Sequence, residues 1–398
     1  MLIDKPFIMP LTLSPATIYN HLLLSLAKKT VILNYHKYCP HRLGHAMLYY
    51  KTDSLTSGYW HEYLHTNQWE IAEKVRILNQ LGYWVDIIDR GASTNWQPDD
   101  IYQLFIGIGI DGSGHHYLRL AKQVPSAIKV LYATSSNPDE RNQFVKQRYS
   151  DFEQRTGHAL PIYRTAENIN TSQTAQITDH IICVGNHVTN HTFKSFNRPI
   201  HKIFLSTSPR LVLDYAAYQE KKSHNFLFLS GAGNILKGLD LLLETFAKLP
   251  HLNLYVCTAL ESAFVQHYSR LLAQTPNIHI ENFVRIHSER FRYLTNICGY
   301  VILPSCTEGC ATSVTSSMRR GLVPVVTRQC GIDVENFGHY IDDISIPGLS
   351  TQISQLATVN STQLRERVAL SYQASAQYTQ RAFSVSFTQA LLSILKTT

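Results

Sequence analysis

The sequence predicts an α/β protein that contains two doubly wound parallel sheets. Short apolar runs of strand length alternate with segments of helical period along most of the chain, the pattern of βαβ units. The alternation starts again after a polar stretch that ends near residue 224. In the clearest unit, an apolar strand at 300–303 leads through a turn of small residues and a short helix to a second strand at 323–327. Parallel sheets bind ligands beyond the carboxyl ends of their strands, so this unit also locates a candidate binding edge.

Length and composition are those of a globular protein of two or three domains. The 398 residues are 44% hydrophobic and 16% charged, which is enough apolar material for large cores. The formal net charge of +7 is spread along the chain without a long Lys/Arg run. This distribution argues against a nucleic-acid surface and is compatible with an anionic small ligand or with peripheral contact to an acidic membrane.

The seven cysteines are odd in number, scattered, and never in a paired metal-ligand spacing. They predict reduced core residues of a cytoplasmic protein, without a metal site. The apolar run at 21–27 lacks a basic leader and is far shorter than the roughly 20 residues that span a bilayer. We therefore expect neither a signal peptide nor a transmembrane helix.

The first domain is predicted to cover residues 1–205. Residues 1–44 are expected to be irregular, because no clear period appears in them. Beyond them, apolar runs predict strands and a 3.6-residue period predicts helices. The predicted strands are 46–50, 84–88, 102–106, 127–132 and 180–184, and the predicted helices are 67–81 and 117–123.

A linker is predicted at 206–224, and a second domain at 225–376. In addition to the unit at 300–327, its predicted strands are 226–229, 252–257 and 278–280, and its predicted helices are 239–249, 261–273 and 288–297. Residues 377–398 are predicted to form a closing helix whose apolar face packs on a partner surface. The reason is an apolar stripe at four-residue intervals, formed by Phe383, Phe387, Leu391 and Leu395.

A glycine-containing loop follows the first strand of the second domain. It consists of Ser230, Gly231, Ala232, Gly233 and Asn234, with Lys237-Gly238 close behind. Glycines let backbone amides approach a phosphate, and the lysine adds a point charge. The spacing is not that of a Walker motif. The alternative is a tight strand-to-helix turn with a solvated lysine.

Glu308 and Gly309 occupy the turn after the strand at 300–303. A carboxylate at a strand end accepts hydrogen bonds from sugar hydroxyls, while neighbouring amides hold a phosphate oxygen. The alternative is an acid that interacts with the dipole of the following helix.

Two weaker patterns lie in the first domain. The segment 107–112 reads Gly-Ile-Gly-Ile-Asp-Gly, which matches the dinucleotide fingerprint, but no acid ends the next strand. His115 and His116 follow it at the mouth of the predicted sheet. In a chain with 19 histidines, a surface or core role for this pair is the more frequent outcome.

These motifs give the second domain a resemblance to retaining GT-B glycosyltransferases, the large nucleotide-sugar-dependent family with sucrose synthase-like and mannosyltransferase members. The resemblance covers about residues 226–343. It rests on pieces in the family's order: Leu229-Ser230-Gly231, Lys237-Gly238, Pro304-Ser305, Glu308-Gly309 and Gly321-Leu322-Val323-Pro324-Val325-Val326. The first domain resembles the acceptor half more loosely, through 67–88 and 179–186. The resemblance implies a GT-B fold, with two Rossmann-like domains facing a central cleft. It also implies that the closing helix at 377–398 packs back on the first domain.

The sequence departs from the family's motif at three places. Ala232 stands where the family has an arginine, Cys310-Ala311 where it has an aromatic residue and a glycine, and Ser316 where it has a second glutamate. The resemblance implies catalytic roles for Lys237 and Glu308. It implies donor contacts from Gly231, Gly233, Asn234, Lys237, Glu308, Gly309, Cys310, Ala311 and Ser316.

The function that the resemblance implies is transfer of a sugar from a nucleoside-diphosphate sugar to a hydroxyl of an unknown carbohydrate or lipid-linked acceptor, with retention. No metal or other cofactor is expected, since Lys237 and a helix amino terminus would stabilise the departing diphosphate. The candidate acceptor-side residues are Gly112, His115, His116, Thr134 and Ser135. The alternatives are a catalytically silent GT-B nucleotide-binding or regulatory protein, a nucleotide-sugar epimerase, and a dinucleotide oxidoreductase. The sugar, the base and the oligomeric state are not predicted.

Overall fold

A computed structural model describes residues 31–52, 55, 66–91, 97–98, 100–110, 114–167 and 169–396. The chain forms two compact units, residues 1–100 and 101–398. The predicted α/β class is confirmed, because helices alternate with parallel strands in the described ranges. The predicted domain boundaries at 205 and 225 stay predictions.

Unit 1 contains three strands and one helix in its described part. These are β1 (Val31–Tyr35), β2 (Gly44–Tyr50), α1 (Thr66–Gln80) and β3 (Tyr83–Asp89). β3 pairs in parallel with β2 and antiparallel with β1. β1 corrects the expectation that residues 1–44 are irregular. It is a half-exposed strand, so it lacks the apolar run that marks a buried strand.

The first sheet of unit 2 contains four strands in the order β4-β5-β6-β7, all parallel. Their side chains are almost entirely buried in the first three, which is why the sequence shows them as apolar runs. The elements are β4 (Leu104–Gly107), α2 (Gly114–Gln123), β5 (Ile128–Ala133), α3 (Pro138–Thr156), α4 (Thr171–Ile177), β6 (His180–Val184), α5 (His187–His191) and β7 (Ile200–Ile203).

The sequence analysis did not predict α3, although it has 19 residues. Only a thin stripe of it is buried, so its hydrophobic period is weak. Its ends carry clear signals. The Asn137 side chain accepts a hydrogen bond from Asp139 N, Pro138 occupies the first turn, and Gly157 caps the carboxyl end in the left-handed conformation. Capping signals therefore identify this helix where periodicity does not.

The second sheet of unit 2 contains six parallel strands in the order β10-β9-β8-β11-β12-β13. β8 begins within the stretch predicted as a linker. The elements are β8 (Lys222–Leu229), α6 (Leu239–Ala247), β9 (Asn253–Cys257), α7 (Ser262–Gln274), β10 (Ile278–Ile280), α8 (Glu289–Ile297), β11 (Cys298–Leu303), α9 (Thr312–Met318), β12 (Val323–Val326) and β13 (His339–Tyr340).

Three helices follow the second sheet: α10 (Ile346–Ala357), α11 (Ser361–Ala374) and α12 (Gln380–Lys396). Short 3-10 helices cover Lys194–Phe196, Ala217–Glu220, Arg328–Cys330 and Ser375–Tyr378. Among the residues described, no helix is long and apolar enough to cross a membrane. All seven cysteines are free, and five of them are buried.

α12 packs on the first sheet of unit 2. Phe383 and Phe387 are fully buried and stack with ring centroids 5.6 Å apart. Phe387 also meets the ring of Tyr132 on β5 edge-on, at 6.4 Å. Phe204 N, just after β7, donates to Ser386 Oγ at 3.2 Å. These contacts bury the apolar stripe of the helix.

Replacing Phe387 by Ala tests how much α12 stabilises the protein. Losing a buried phenylalanine costs about 3–5 kcal/mol, so we expect a melting temperature several degrees lower. Leu392→Ala is the control, because Leu392 lies on the same helix and is 41% exposed. It should change stability by less than about 0.5 kcal/mol. Equal melting temperatures for the two variants would mean that the buried face of α12 contributes no more than its exposed face.

Candidate functional site

The second sheet has a switch point between β8 and β11. From β8 the chain continues to β9 and β10 on one side, and from β11 to β12 and β13 on the other. Connections that leave in opposite directions open a crevice at the carboxyl ends of the two central strands. The loops 230–238 and 304–311 lie at those two ends.

The two loops are fastened to each other by their backbones. Cys306 N donates to Leu236 O at 3.0 Å. Gly238 has φ +75°, and a Cβ there would lie 2.6 Å from Pro304 O. A side chain at this position would therefore push the loops apart. The close approach brings Lys237 opposite Glu308.

Lys237 and Glu308 form an ion pair between Nζ and Oε1. Their side chains are only 8% and 15% exposed. Ser305 Oγ donates a second hydrogen bond to Glu308 Oε1 at 3.0 Å. Because both charges are largely removed from water, each requires the other for compensation. The sequence predicted both residues, and the structure brings them into direct contact.

The glycine-containing loop is exposed at its start and buried at its end. Gly231 is exposed, whereas Gly233 and Asn234 are buried. The amides of Gly233 and Asn234 donate to Glu261 Oε1 at 2.6 and 3.1 Å. Asn234 returns the contact, since its side chain accepts from Glu261 N and donates to Ala259 O. These amides thus hold a carboxylate of the chain itself.

Gly309 is enclosed by backbone from the first sheet of unit 2. A Cβ on Gly309 would overlap the carbonyl oxygen of Thr134 and lie 2.9 Å from Ser135 Cα. Its own carbonyl oxygen accepts from Thr189 Oγ1 at 3.0 Å and leaves no room for a Cβ on Gly185. The predicted acceptor-side residues Thr134 and Ser135 are therefore packed directly on the predicted donor residue Gly309.

The remaining predicted donor residues are buried around α9. Cys310 and Ala311 are 8% and 4% exposed, and Ala311 is the residue before the first turn of α9. Ala311 N donates to Cys330 O at 2.9 Å. Ser316, one turn further along α9, is 3% exposed. In this arrangement the protein itself covers these positions.

The other predicted first-domain residues lie elsewhere or outside the described ranges. His115 and His116 are adjacent on α2, with ring centroids 3.9 Å apart. Burial, helped by the neighbouring His115, lowers the pKa of His116. Within the described residues, no hydrogen bond or ion pair joins either histidine to Lys237 or Glu308. Gly112 lies outside the described residues.

Packing accounts for two glycines of the dinucleotide-like segment. A Cβ on Gly107 or Gly109 would lie 2.8 Å from the ring of Tyr117. Tyr117 is fully buried, and its hydroxyl hydrogen-bonds to Thr178 Oγ1 at 2.9 Å. These glycines make room for a core tyrosine, so they do not require a bound dinucleotide to explain them.

Three arginines from the part of unit 2 that contains the first sheet contact this edge of the second sheet. Sequence reasoning missed all three. Arg148 on α3 is 4% exposed and donates through Nη2 to Pro304 O at 3.1 Å. Arg164, beyond α3, donates through Nη1 to Ala232 O at 3.2 Å. No sequence spacing indicates such contacts, because they join residues 68 and 156 positions apart.

The third arginine, Arg155, joins α3 to α6. Its guanidinium pairs with Asp240 at 2.5 Å and with Glu244 at 3.1 Å. Burial raises the pKa of Asp240, and the positive charges of Arg148 and Arg155 oppose that rise. A carboxylate that is 0% exposed needs such partners, so the pairing fastens α3 to the helix that follows the glycine-containing loop.

A cavity of about 320 Å³ opens beside the same edge. Its lining includes Arg148, Cys306, Thr327 and Arg328. Burial raises the pKa of Cys306 to about 11, so its thiol stays protonated at neutral pH. The cavity is large enough for part of a small ligand.

The fold is that of the GT-B class. The chain is similar to sucrose-phosphate synthase from Thermosynechococcus elongatus, with a TM-score of 0.62 and 11% identity over 89% of this chain and 100% of that one. It is similar to HepE of Anabaena, solved in complex with UDP and glucose, with a TM-score of 0.56 and 12% identity over 88% and 99% of the two chains. It spans 58% of the length of pneumococcal O-GlcNAc transferase GtfA, at a TM-score of 0.49 and 14% identity.

No family model matches the sequence, and neither does any curated protein sequence. At 11–12% identity, the likeness to solved structures establishes the GT-B fold. The fold expected from the resemblance is therefore confirmed, and the chemistry has to be argued from this chain's own residues.

A double-mutant cycle on Lys237→Met and Glu308→Gln tests the mutual dependence of the ion pair. Each single change should lower the free energy of unfolding by about 2–4 kcal/mol, because it strands the other group in a partly buried site. The double change should cost less than the sum by at least about 1 kcal/mol. Chemical denaturation measures these values.

The matched control is the Arg290–Glu281 pair, in which the arginine is 50% exposed. Its cycle should give a coupling of no more than about 1 kcal/mol. Additive losses for Lys237 and Glu308 would show that the two charges are stabilised independently.

Proposed function

We propose that the protein is a glycosyltransferase that moves a sugar from a nucleoside-diphosphate sugar to a hydroxyl acceptor, with retention of configuration. The observation that carries the proposal is the Lys237–Glu308 pair at the switch point of a parallel sheet, beside a glycine-containing loop. The GT-B fold supports it, as does the similarity to HepE, which was solved with UDP and glucose.

The proposed donor lies across the carboxyl ends of β8 and β11. Its diphosphate would meet the 231–233 loop and the Lys237 ammonium, a cation that stabilises negative charge as the sugar leaves. Its sugar would face Glu308 and the Gly309 amide, since an ionised carboxylate accepts hydrogen bonds from hydroxyl groups. Its ribose would lie towards Ser316. These groups supply the charge stabilisation themselves, and the proposal uses no metal ion.

The proposal requires a rearrangement around Gly309. Thr134 and Ser135 pack on this residue, and Ser136 Oγ and Thr307 Oγ1 are 2.5 Å apart. A sugar against Gly309 needs the space that this backbone fills. In the proposal, donor binding separates the 134–136 segment from the 307–309 turn, and the separated segment then forms the acceptor side. The acceptor is proposed to be a carbohydrate or a lipid-linked sugar.

A catalytically silent nucleotide-binding protein is the second candidate, and one observation favours it. The carboxylate that would receive the sugar is satisfied within the chain, because Glu308 is bound by Lys237 and Ser305, and backbone of Thr134 and Ser135 packs on Gly309. A protein fixed in this arrangement would bind a nucleotide at the exposed loop without room for a sugar. The two candidates differ in turnover and not in nucleotide affinity.

Lys237→Ala tests the diphosphate contact. Loss of a charge-assisted hydrogen bond of about 1.5–3 kcal/mol should weaken UDP binding by about 10- to 100-fold in calorimetry. Lys248→Ala removes an exposed lysine at the end of α6 and should leave the affinity unchanged. If UDP binds equally well to the Lys237 and Lys248 variants, Lys237 is not part of the site.

Glu308→Gln tests the sugar contact. Because the carboxylate faces the sugar in this proposal, release of UDP from UDP-glucose should slow by about 100-fold, while UDP affinity should not fall, since the change leaves Lys237 without its internal partner. Glu289→Gln, at an 89% exposed position, is the control.

The wild-type protein distinguishes the candidate functions in the same assay. Binding of UDP without release of UDP from any nucleotide sugar in a panel would identify the silent protein. Conversion of the sugar nucleotide into an isomer, with no UDP released, would identify an epimerase.

A further inference from the structure

The glycine-containing loop at 230–234 has no basic residue of its own, and an arginine from another part of the chain covers it. Arg164 Nη1 donates to Ala232 O at 3.2 Å. We propose that Arg164 is a ligand-binding residue that supplies a guanidinium to a diphosphate bound at this loop. The inference rests on the proposed function, because it assigns a further residue to the same donor site.

The guanidinium lies on the open face of the loop. Nη1 is 3.9 Å from the position of a Cβ on Gly231, and among the described residues, apart from Gly231 and its two chain neighbours, no other atom comes within 4 Å of that position. The Arg164 Cδ is 3.2 Å from the corresponding position on Gly233. A phosphate that approached the backbone closely at these glycines would therefore contact the Arg164 side chain.

The backbone of Arg164 is held in a conformation that arginine seldom adopts. Its φ is +65°, in the left-handed region that favours glycine. Arg141 on α3 donates to the Arg164 carbonyl oxygen at 2.5 Å. Asn142 and Ala166 exchange hydrogen bonds of 2.8 and 2.9 Å. The surroundings thus fix an unfavourable backbone, and strain of this kind concentrates at binding sites.

Arg164, unlike Lys237 and the Gly233 amide, has no carboxylate partner among the described residues. Lys237 is paired with Glu308, and the Gly233 amide donates to Glu261. Across the described part of the chain, Arg164 has one side-chain hydrogen bond, to a neutral carbonyl, and no ion pair. A guanidinium carries five N–H donors and binds phosphate oxygens in pairs, so a diphosphate is the ligand that fits it.

The test is calorimetric titration of UDP, UMP and inorganic pyrophosphate into the wild type and matched variants. Arg164→Gln should weaken UDP binding at least about tenfold, and UMP binding by less than about threefold, because the second phosphate is the one it loses. Arg164→Lys keeps the charge without the planar fork and should lose less. Arg270→Gln, at an exposed position on α7, should match the wild type.

A second-site variant separates ligand contact from a structural role. Arg164→Gln combined with Ala232→Arg places a guanidinium on the exposed loop itself, so it should regain most of the UDP affinity. A side chain that only tied its own segment to the loop would not be replaced in this way. Equal losses for UDP and UMP, or no rescue by the second substitution, would overturn the inference.

The same titrations distinguish failure of this inference from failure of the proposed function. If the wild type binds UDP and Arg164→Gln binds it equally well, the donor site stands and the role of Arg164 is refuted. If the wild type binds no nucleotide, the proposed function fails. Pyrophosphate binding then tests the role of Arg164. If the wild type binds pyrophosphate and Arg164→Gln does not, the anion contact is supported. If both bind it equally, or the wild type does not bind it, the contact is refuted.

Discussion

The Lys237–Glu308 ion pair is the interaction on which the site depends. Each charge follows a different central strand of the second sheet, and together they lie where water has little access. Separating two such charges leaves both without compensation, which is far more costly than breaking a surface pair. The contact between Leu236 O and Cys306 N and the close packing of Gly238 on Pro304 keep the loops at the distance that the pair needs. The backbone and the charges thus enforce the same arrangement.

α3 organises the other side of the site. Arg148 bonds to the turn after β11, Arg155 pairs with Asp240 and Glu244 on α6, and Arg141 holds the carbonyl of Arg164. One helix of the first sheet therefore contacts the elements that follow both β8 and β11. Arg148 is 4% exposed and Asp240 is 0% exposed, so these contacts are costly to break unless new partners replace them.

Sequence reasoning located β8, β11, the two loops and the Lys237–Glu308 positions, because buried parallel strands and glycine-containing turns leave local signals. It missed α3, whose buried stripe is thin, and β1, which is a half-exposed strand. It also missed Glu261 and Arg164. Their roles at the loop come from contacts across 27 to 68 residues, and no local pattern specifies such contacts. Conversely, two glycines of the dinucleotide-like segment, Gly107 and Gly109, have a packing cause in the ring of Tyr117.

The chain fills its own anion sites, and this determines which ligand can gain by binding. Glu308 forms an ion pair with Lys237, and Glu261 accepts hydrogen bonds from the amides of Gly233 and Asn234. An incoming monoanion would replace an internal carboxylate with a single anionic group of its own, so it would gain little binding free energy. A diphosphate brings several charged oxygens at once, so it can replace these contacts and also use the free donors of Arg164 under the proposal above. Under the proposal, the internal carboxylates therefore compete with the ligand and favour a polyanion, and the difference between the two affinities gives the selectivity.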